Sequence, residues 1–308
     1  MLNCVLKEKN EIINWRRRFL RDIKKFEEEG RKIYYLDETW VNAGHTVNKV
    51  WTDTTILSAR DAFIRGLSTG LKNPTGKGQR LIILHIDSEN GFVEKRLDMF
   101  QSKKTGDYHE EMNSDRFEGW FQGILNKLED GSVIVMDNVS YHSRKLDQCP
   151  TSSTRKADIQ QWLRERNINF ENNMVRALVK ENRPLVQRYV VDEMAKEKNK
   201  IVLRLPPYHC EFNPIELIWA QIKGEVARKN ATFKISDVQT LFTKALNNVT
   251  QTNWSKAIQH VRFFRNKMWD IDNLMDKQVE PLIINLRALS TTFFEHKKFI
   301  QERTLCCL

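Results

Sequence analysis

Two of the chain's short apolar runs stop at an aspartate. Ile33, Tyr34, Tyr35 and Leu36 lead into Asp37, and Val133, Ile134, Val135 and Met136 lead into Asp137. Runs this short, rich in β-branched and aromatic residues, read as buried strands rather than helices. Leu81 to Ile86 reads the same way, as does Ile201 to Leu203, which Pro206 and Pro207 close. Val47 to Thr52 reads as the hairpin partner of the first strand. Amphipathic stretches lie between these runs, so the expected class is α/β, a mixed five-stranded sheet flanked by helices.

The helical stretches carry their own signals. In residues 5–29, Ile12, Trp15, Phe19, Ile23 and Phe26 recur at threes and fours, and Gly30 is a good stop. Residues 108–128 place Phe117, Trp120, Phe121, Ile124 and Leu128 on one stripe. Further helices are expected at 157–166, 174–180, 185–194, 236–247 and 253–268. A helix opening at Asn213, a good N-cap, with Pro214 in its first turn, buries Ile215, Ile218, Trp219, Ile222 and Val226. Glu216 lies about 100° round from Ile215, at the rim of that buried face with Ala220 and Lys223.

Asp37, Asp137 and Glu216 thus arrive from strand, strand and helix. Each alone has an ordinary explanation: an aspartate can end a strand, and a glutamate in the first turn can complete a cap. Gathered at one point they would repel each other unless cations neutralised them. Oxygen ligands of this kind suit Mg2+ best, and two such ions can clamp both the attacking and the leaving oxygen of a phosphodiester.

Charge agrees with a polyanionic partner: 50 Lys and Arg stand against 40 Asp and Glu, a net +10. The five cysteines form no CxxC pair, so neither a zinc ribbon nor a disulfide framework is expected, in keeping with cytosol or nucleus. No signal peptide opens the chain, and its apolar runs are far too short to span a bilayer, so no membrane association is expected.

Tyr35-Leu36-Asp37-Glu38-Thr39-Trp40, Asp137-Asn138-Val139-Ser140-Tyr141-His142 and the long block from Leu205 through His209 and Asn213 to Glu216 resemble the three catalytic blocks of mariner-type DDE transposases. The resemblance runs from about residue 12 to residue 286. It implies a ribonuclease H-like fold with Asp37 on the first strand, Asp137 on the fourth and Glu216 on the closing helix. It also implies cleavage of double-stranded DNA at element ends with two Mg2+ or Mn2+ ions, strand transfer into target DNA, a homodimer when active, and a nuclear location.

The organisation expected on this basis is a basic helix and linker at 1–30, a catalytic domain at 31–230 with a helical insert at about 143–200, C-terminal helices at 231–286, and a tail at 287–308 without an assigned role. Only one helix precedes Asp37, so the helix-turn-helix modules usual in the family are not expected here. The interval between Asp137 and Glu216 is longer than in the best-known members. Two other readings are a transposase-derived DNA-binding scaffold without turnover and a nuclease that cuts without transposing.

Supporting roles follow with less to carry them. Asn138 could orient a metal-bound water. His142 and His209 could contact phosphate or metal, or simply bond a loop backbone. Lys77 and Arg80 beside flexible glycines, Lys223 about two turns on from Glu216, and Arg16 and Arg17 on the first helix are candidate phosphate contacts. Trp40 and Trp219 read as core residues.

Overall fold

The computed structural model describes residues 7, 9–47, 55–66, 74, 76–102, 112–147, 149–151, 153–171, 175–179 and 188–274. The elements in chain order are α1 (Asn10–Glu28), β1 (Ile33–Asn42), α2 (Ala59–Ile64), β2 (Arg80–Ser88), β3 (Gly91–Phe92), β4 (Asp98–Gln101), α3 (Ser114–Leu125), β5 (Val133–Met136), α4 (Lys156–Glu165), α5 (Val190–Glu197), β6 (Ile201–Arg204), α6 (Ile215–Lys229) and α7 (Ile235–Asn247). A further helix, α8, covers 251–274. Among the described residues the sheet has six strands rather than five, in the order β3-β2-β1-β5-β6 with β4 also paired to β2.

β1 runs antiparallel to β2 and parallel to β5, and β5 runs parallel to β6. One expectation is corrected here, and another falls outside the described residues. The antiparallel partner of β1 is β2; the hairpin partner expected at Val47 to Thr52 falls, from residue 48 on, outside the described residues. β1 also does not end at Asp37, because pairing with β2 carries it on to Asn42 opposite Arg80. Just beyond, two loops close on each other, and Gly44 is needed there: a side chain would place its first carbon 2.2 Å from the Gly76 carbonyl oxygen.

Alternation along the strands sends apolar side chains to both faces, and helices cover both. Leu36, Ile82, Leu84, Ile86, Ile134 and Met136 pack against Phe117, Phe121 and Ile124 of α3. Val41, Leu81 and Ile83 face Ile215, Ile218, Trp219 and Ile222 of α6, with Phe242 and Trp254 behind them. α1 adds Phe19, Leu20 and Ile23 to a third cluster with Tyr35, Val135, Leu205 and Phe212.

Gly30 ends α1 with φ +65° while Gly30 N–H bonds to Glu27 and Arg31 N–H to Phe26, a left-handed cap that only glycine adopts without strain. Between β5 and α5, Ile159, Trp162 and Leu163 of α4 form a small core with Val175 and Val179. The expected helix start before Met112 and the segment 180–187 fall largely outside the described residues, as do 275–286 and the tail from 287. Among the described residues no helix is long and apolar enough to cross a membrane.

Candidate metal centre

Register places the two aspartates together. Tyr35 of β1 is directly paired with Val135 of the parallel strand β5, and both side chains belong to one core cluster. Asp37 and Asp137 each come two residues later, so they project from the same sheet face on neighbouring strands. Asp37 is held inside a long strand opposite His85, whereas Asp137 follows the last residue of β5, where pairing with β6 stops at Met136 and Arg204.

α6 brings the third carboxylate. Its buried stripe packs on this same face, and two polar ties fix its start and first turn. Asn213 Nδ2 donates to the Leu36 carbonyl oxygen (3.1 Å), and Trp219 Nε1 donates to Asp37 Oδ2 (3.0 Å). The capping role expected of Asn213 is therefore corrected: its side chain reaches across to β1, and no side chain caps α6. Pro214 does take helical dihedrals, φ −64° and ψ −24°.

The acids sense one another. Burial, then the charges of Glu216, Glu38 and Asp137, push the Asp37 carboxyl well above the usual carboxylate range, with Lys223 opposing. Burial raises Glu216 as well, with Lys223 pulling it down and Asp137 pushing it up. Lys223 itself is lowered by burial, against the pull of Glu216 and Asp37. One lysine cannot balance this many carboxylates. The donor set is oxygen-rich and electrostatically underpaid, which fits hard divalent cations.

Glu38 and His142 were not read from the sequence as a pair. His142 is fully buried, between the rings of Phe117 (centroids 4.0 Å apart) and Tyr141 (4.6 Å). Its Nδ1 lies 2.7 Å from Asp137 Oδ1 and its Nε2 lies 2.9 Å from Glu38 Oε1. Burial opposes its charge, but the Glu38 carboxylate and the bonds to Asp137 and Glu38 outweigh that and lift its pKa to about 9. Ligand-type atoms of Glu38, Asp137 and His142 lie within 4.8 Å of one another. Both ring nitrogens are engaged by carboxylates, so these three form a hydrogen-bonded relay; the oxygen-only set is Asp37, Asp137 and Glu216.

No protein-family model matches the chain, and no curated protein matches it. Solved structures do. The Mos1 transposase paired-end complex with the left transposon end matches with a TM-score of 0.53 at 11% identity, over 86% of this chain and 63% of that one. The Mos1 mariner paired-end complexes with Mn and with Mg each match with a TM-score of 0.52 at 10% identity, over the same 86% and 63%. The chain has the ribonuclease H-like fold of the Mos1 mariner transposase. It spans somewhat under two thirds of the length of these chains.

The remaining candidates are dispersed. Asn138 Oδ1 accepts from Ser143 Oγ (2.9 Å) and Arg204 Nη1 (3.3 Å), which ties it to the strand β6 side of the loop. His209 is buried and its ring is engaged elsewhere: its Nε2 meets Arg16 Nη1 (3.4 Å) and its Nδ1 meets Glu211 Oε1 (3.0 Å). Arg16 is corrected outright. It is 2% exposed and holds Asp272 of α8 through two bonds, so it cannot reach a phosphate backbone. Arg17, half-buried, donates to the Asp272 carbonyl oxygen (3.1 Å) and is turned toward α8 as well.

Lys77 is exposed, and Arg80 and Lys223 both lie over the ring of Trp40, at 5.9 and 5.3 Å. Trp40, expected in the core, is 37% exposed. It faces opposite to Thr39 on β1, and Arg80 of β2 and Lys223 of α6 lie over its ring. Trp219 is core as expected, and it is also the donor to Asp37. The Trp40–Lys223 contact and the Trp219–Asp37 bond both join residues far apart in the chain, so no local pattern announces them.

Proposed function

We propose that this chain is the catalytic domain of a mariner-type DDE transposase, cutting duplex DNA at element ends and joining them to a target in the nucleus as a homodimer. The observation that carries the reading is the placement of Asp37 and Asp137 on one face of neighbouring parallel strands, with Glu216 on the helix packed against that face. The likeness to Mos1 supports the fold on which this arrangement stands.

Asp37, Asp137 and Glu216 would hold two Mg2+ or Mn2+ ions. When bound, such ions supply the charge that activates a hydroxyl and stabilises the leaving oxygen of a phosphodiester. The chain's own residues set up the rest. Trp219 orients Asp37 by its N–H, and Asn213 locks the start of α6 to β1 so that Glu216 is delivered at a fixed height. Lys223 places a positive charge beside Asp37 and Glu216, where it would meet an incoming phosphate. Lys77 and Arg80 extend that charge along the surface, and binding through them would weaken steeply with salt.

The test is Mg2+-dependent nicking of a DNA duplex, with Asp137→Asn as control. Nicking by the wild type and none by the variant is expected. Equal nicking by both would remove the site assignment, and no nicking by either, with DNA still bound, would favour the scaffold reading.

A further inference from the structure

Asp37 and Asp137 are held very differently by the fold. Asp37 sits inside a ten-residue strand and receives the Trp219 N–H. Asp137 stands past the end of a four-residue strand with its side chain 36% exposed. Left to itself, such a side chain samples several rotamers, and fixing it for each round of binding costs free energy. The structure supplies a grip from one side. His142 Nδ1 lies 2.7 Å from Asp137 Oδ1, and the only other bond to that carboxylate among the described residues is the Val139 N–H to the same oxygen, at 3.3 Å.

The grip itself is rigid. The imidazole is clamped between Phe117 and Tyr141, and the His142 backbone is held by Val139 (3.2 Å to its carbonyl) and by Arg204 Nη2 on its own carbonyl (2.8 Å). Glu38 completes it. As the neighbour of Asp37 it points to the opposite face of β1, its side chain is 3% exposed, and its Oε1 holds His142 Nε2 at 2.9 Å. A carboxylate buried there is costly unless paired, and His142 is the partner that pairs it.

We infer that Glu38 and His142 are positioning residues that fix the Asp137 carboxylate through Oδ1 and leave Oδ2 as its metal-binding oxygen. This rests on the reading of Asp37, Asp137 and Glu216 as the metal set. Groups that orient a ligating side chain in this way typically carry about 10–100-fold in metal affinity or activity.

The experiment uses the whole chain, with Mn2+ as the probe. Mn2+ affinity is read by electron paramagnetic resonance, and kcat and KM are read on a nicked-duplex assay, for wild type, His142→Phe, Glu38→Ala and Glu38→Gln. Phenylalanine keeps the aromatic sandwich, and glutamine keeps an acceptor for Nε2. Melting temperatures identify the folded variants, and Glu38→Ala against Glu38→Gln keeps the test open if His142→Phe does not fold. Expected are Mn2+ affinity and kcat lowered about 10–100-fold in His142→Phe and Glu38→Ala, an unchanged duplex KM, and recovery toward wild type in Glu38→Gln. Folded variants that bind Mn2+ like the wild type would overturn the inference alone, as would losses confined to KM or losses that merely follow melting temperature. A wild type that neither binds Mn2+ nor nicks would overturn it together with the metal-site reading.

Discussion

The indole N–H of Trp219 donates to Asp37 Oδ2 across 3.0 Å, so the helix that delivers Glu216 also orients the aspartate facing it. Trp219 sits one turn after Glu216 and is buried with Phe92 (centroids 5.8 Å) and Phe242 (6.1 Å). Trp219→Phe keeps an aromatic ring in that place and removes the donor. A buried acceptor that loses its partner costs about 1–3 kcal/mol. Urea unfolding should show a loss in that range, with weaker Mn2+ binding in the folded variant; full retention of both would mean that the bond carries nothing.

Arg16 and Asp272 form a buried bidentate pair joining α1 to α8. Removing one partner strands the other charge, which costs about 3–5 kcal/mol, whereas replacing both by apolar residues can be close to neutral. Arg16→Met should therefore destabilise strongly in chemical denaturation, and Arg16→Met with Asp272→Leu should recover most of the loss. Two losses that simply add would contradict the pairing.

Glu216 contributes to the repulsion that raises Asp37. Glu216→Gln removes one charge from the cluster, so without divalent ions the variant should melt higher than the wild type. Adding Mg2+ or Mn2+ should reverse the order. A ligand that binds only the folded state at about 100 times its dissociation constant adds about 2.7 kcal/mol, and the variant forfeits much of this. Calorimetric scans with EDTA and with Mn2+ measure both halves, and a wild type whose melting ignores Mn2+ would count against the metal set.

His85 packs on Phe92 (centroids 4.5 Å) and its Nδ1 accepts the Ile86 N–H (2.8 Å); burial pushes its pKa down to about 4, against the opposing effect of the Ile86 carbonyl. The folded-state value lies below the unfolded value near 6.5, so the folded protein binds fewer protons in between. Stability is complete above about pH 6.5 and is lost as pH falls toward 4, by roughly 3 kcal/mol. Other buried groups titrate with the opposite sign, so the quantity to measure is the difference between wild type and His85→Phe across that window. A flat difference would show that His85 is protonated without penalty.

Lys77 is exposed, and Arg16 is not. Lys77→Ala should lower the slope of log affinity against log salt by about 0.9 for duplex DNA, one phosphate contact. Filter-binding or fluorescence titrations across a salt series give the slope, and an unchanged value would remove Lys77 from the DNA path.

Much of the scaffold is legible in local pattern. The apolar runs at 81–86, 133–136 and 201–203, the stripes of α1, α3 and α6, and Gly30 as a stop all follow from periodicity and end signals, which act over a few residues. Asp37, Asp137 and Glu216 stand out for the same reason: each is placed by a strand or helix whose own pattern is readable. That β2 is the antiparallel partner of β1 was not legible, because pairing strands is not a local choice.

The bonds that make the acids into a site are another matter. Glu38 meets His142 across 104 residues, Trp219 meets Asp37 across 182, and Arg16 meets Asp272 across 256. Nothing near these residues distinguishes a buried Arg16 from its exposed neighbour Arg18, or a Trp219 that donates to a carboxylate from one that only fills the core. Chain chemistry settles which residues are acidic, apolar or turn-forming, because those are properties of single residues and short windows. Which of them touch is settled by packing, because a hydrogen bond or ion pair exists only when the fold has already brought its two ends within about 3 Å.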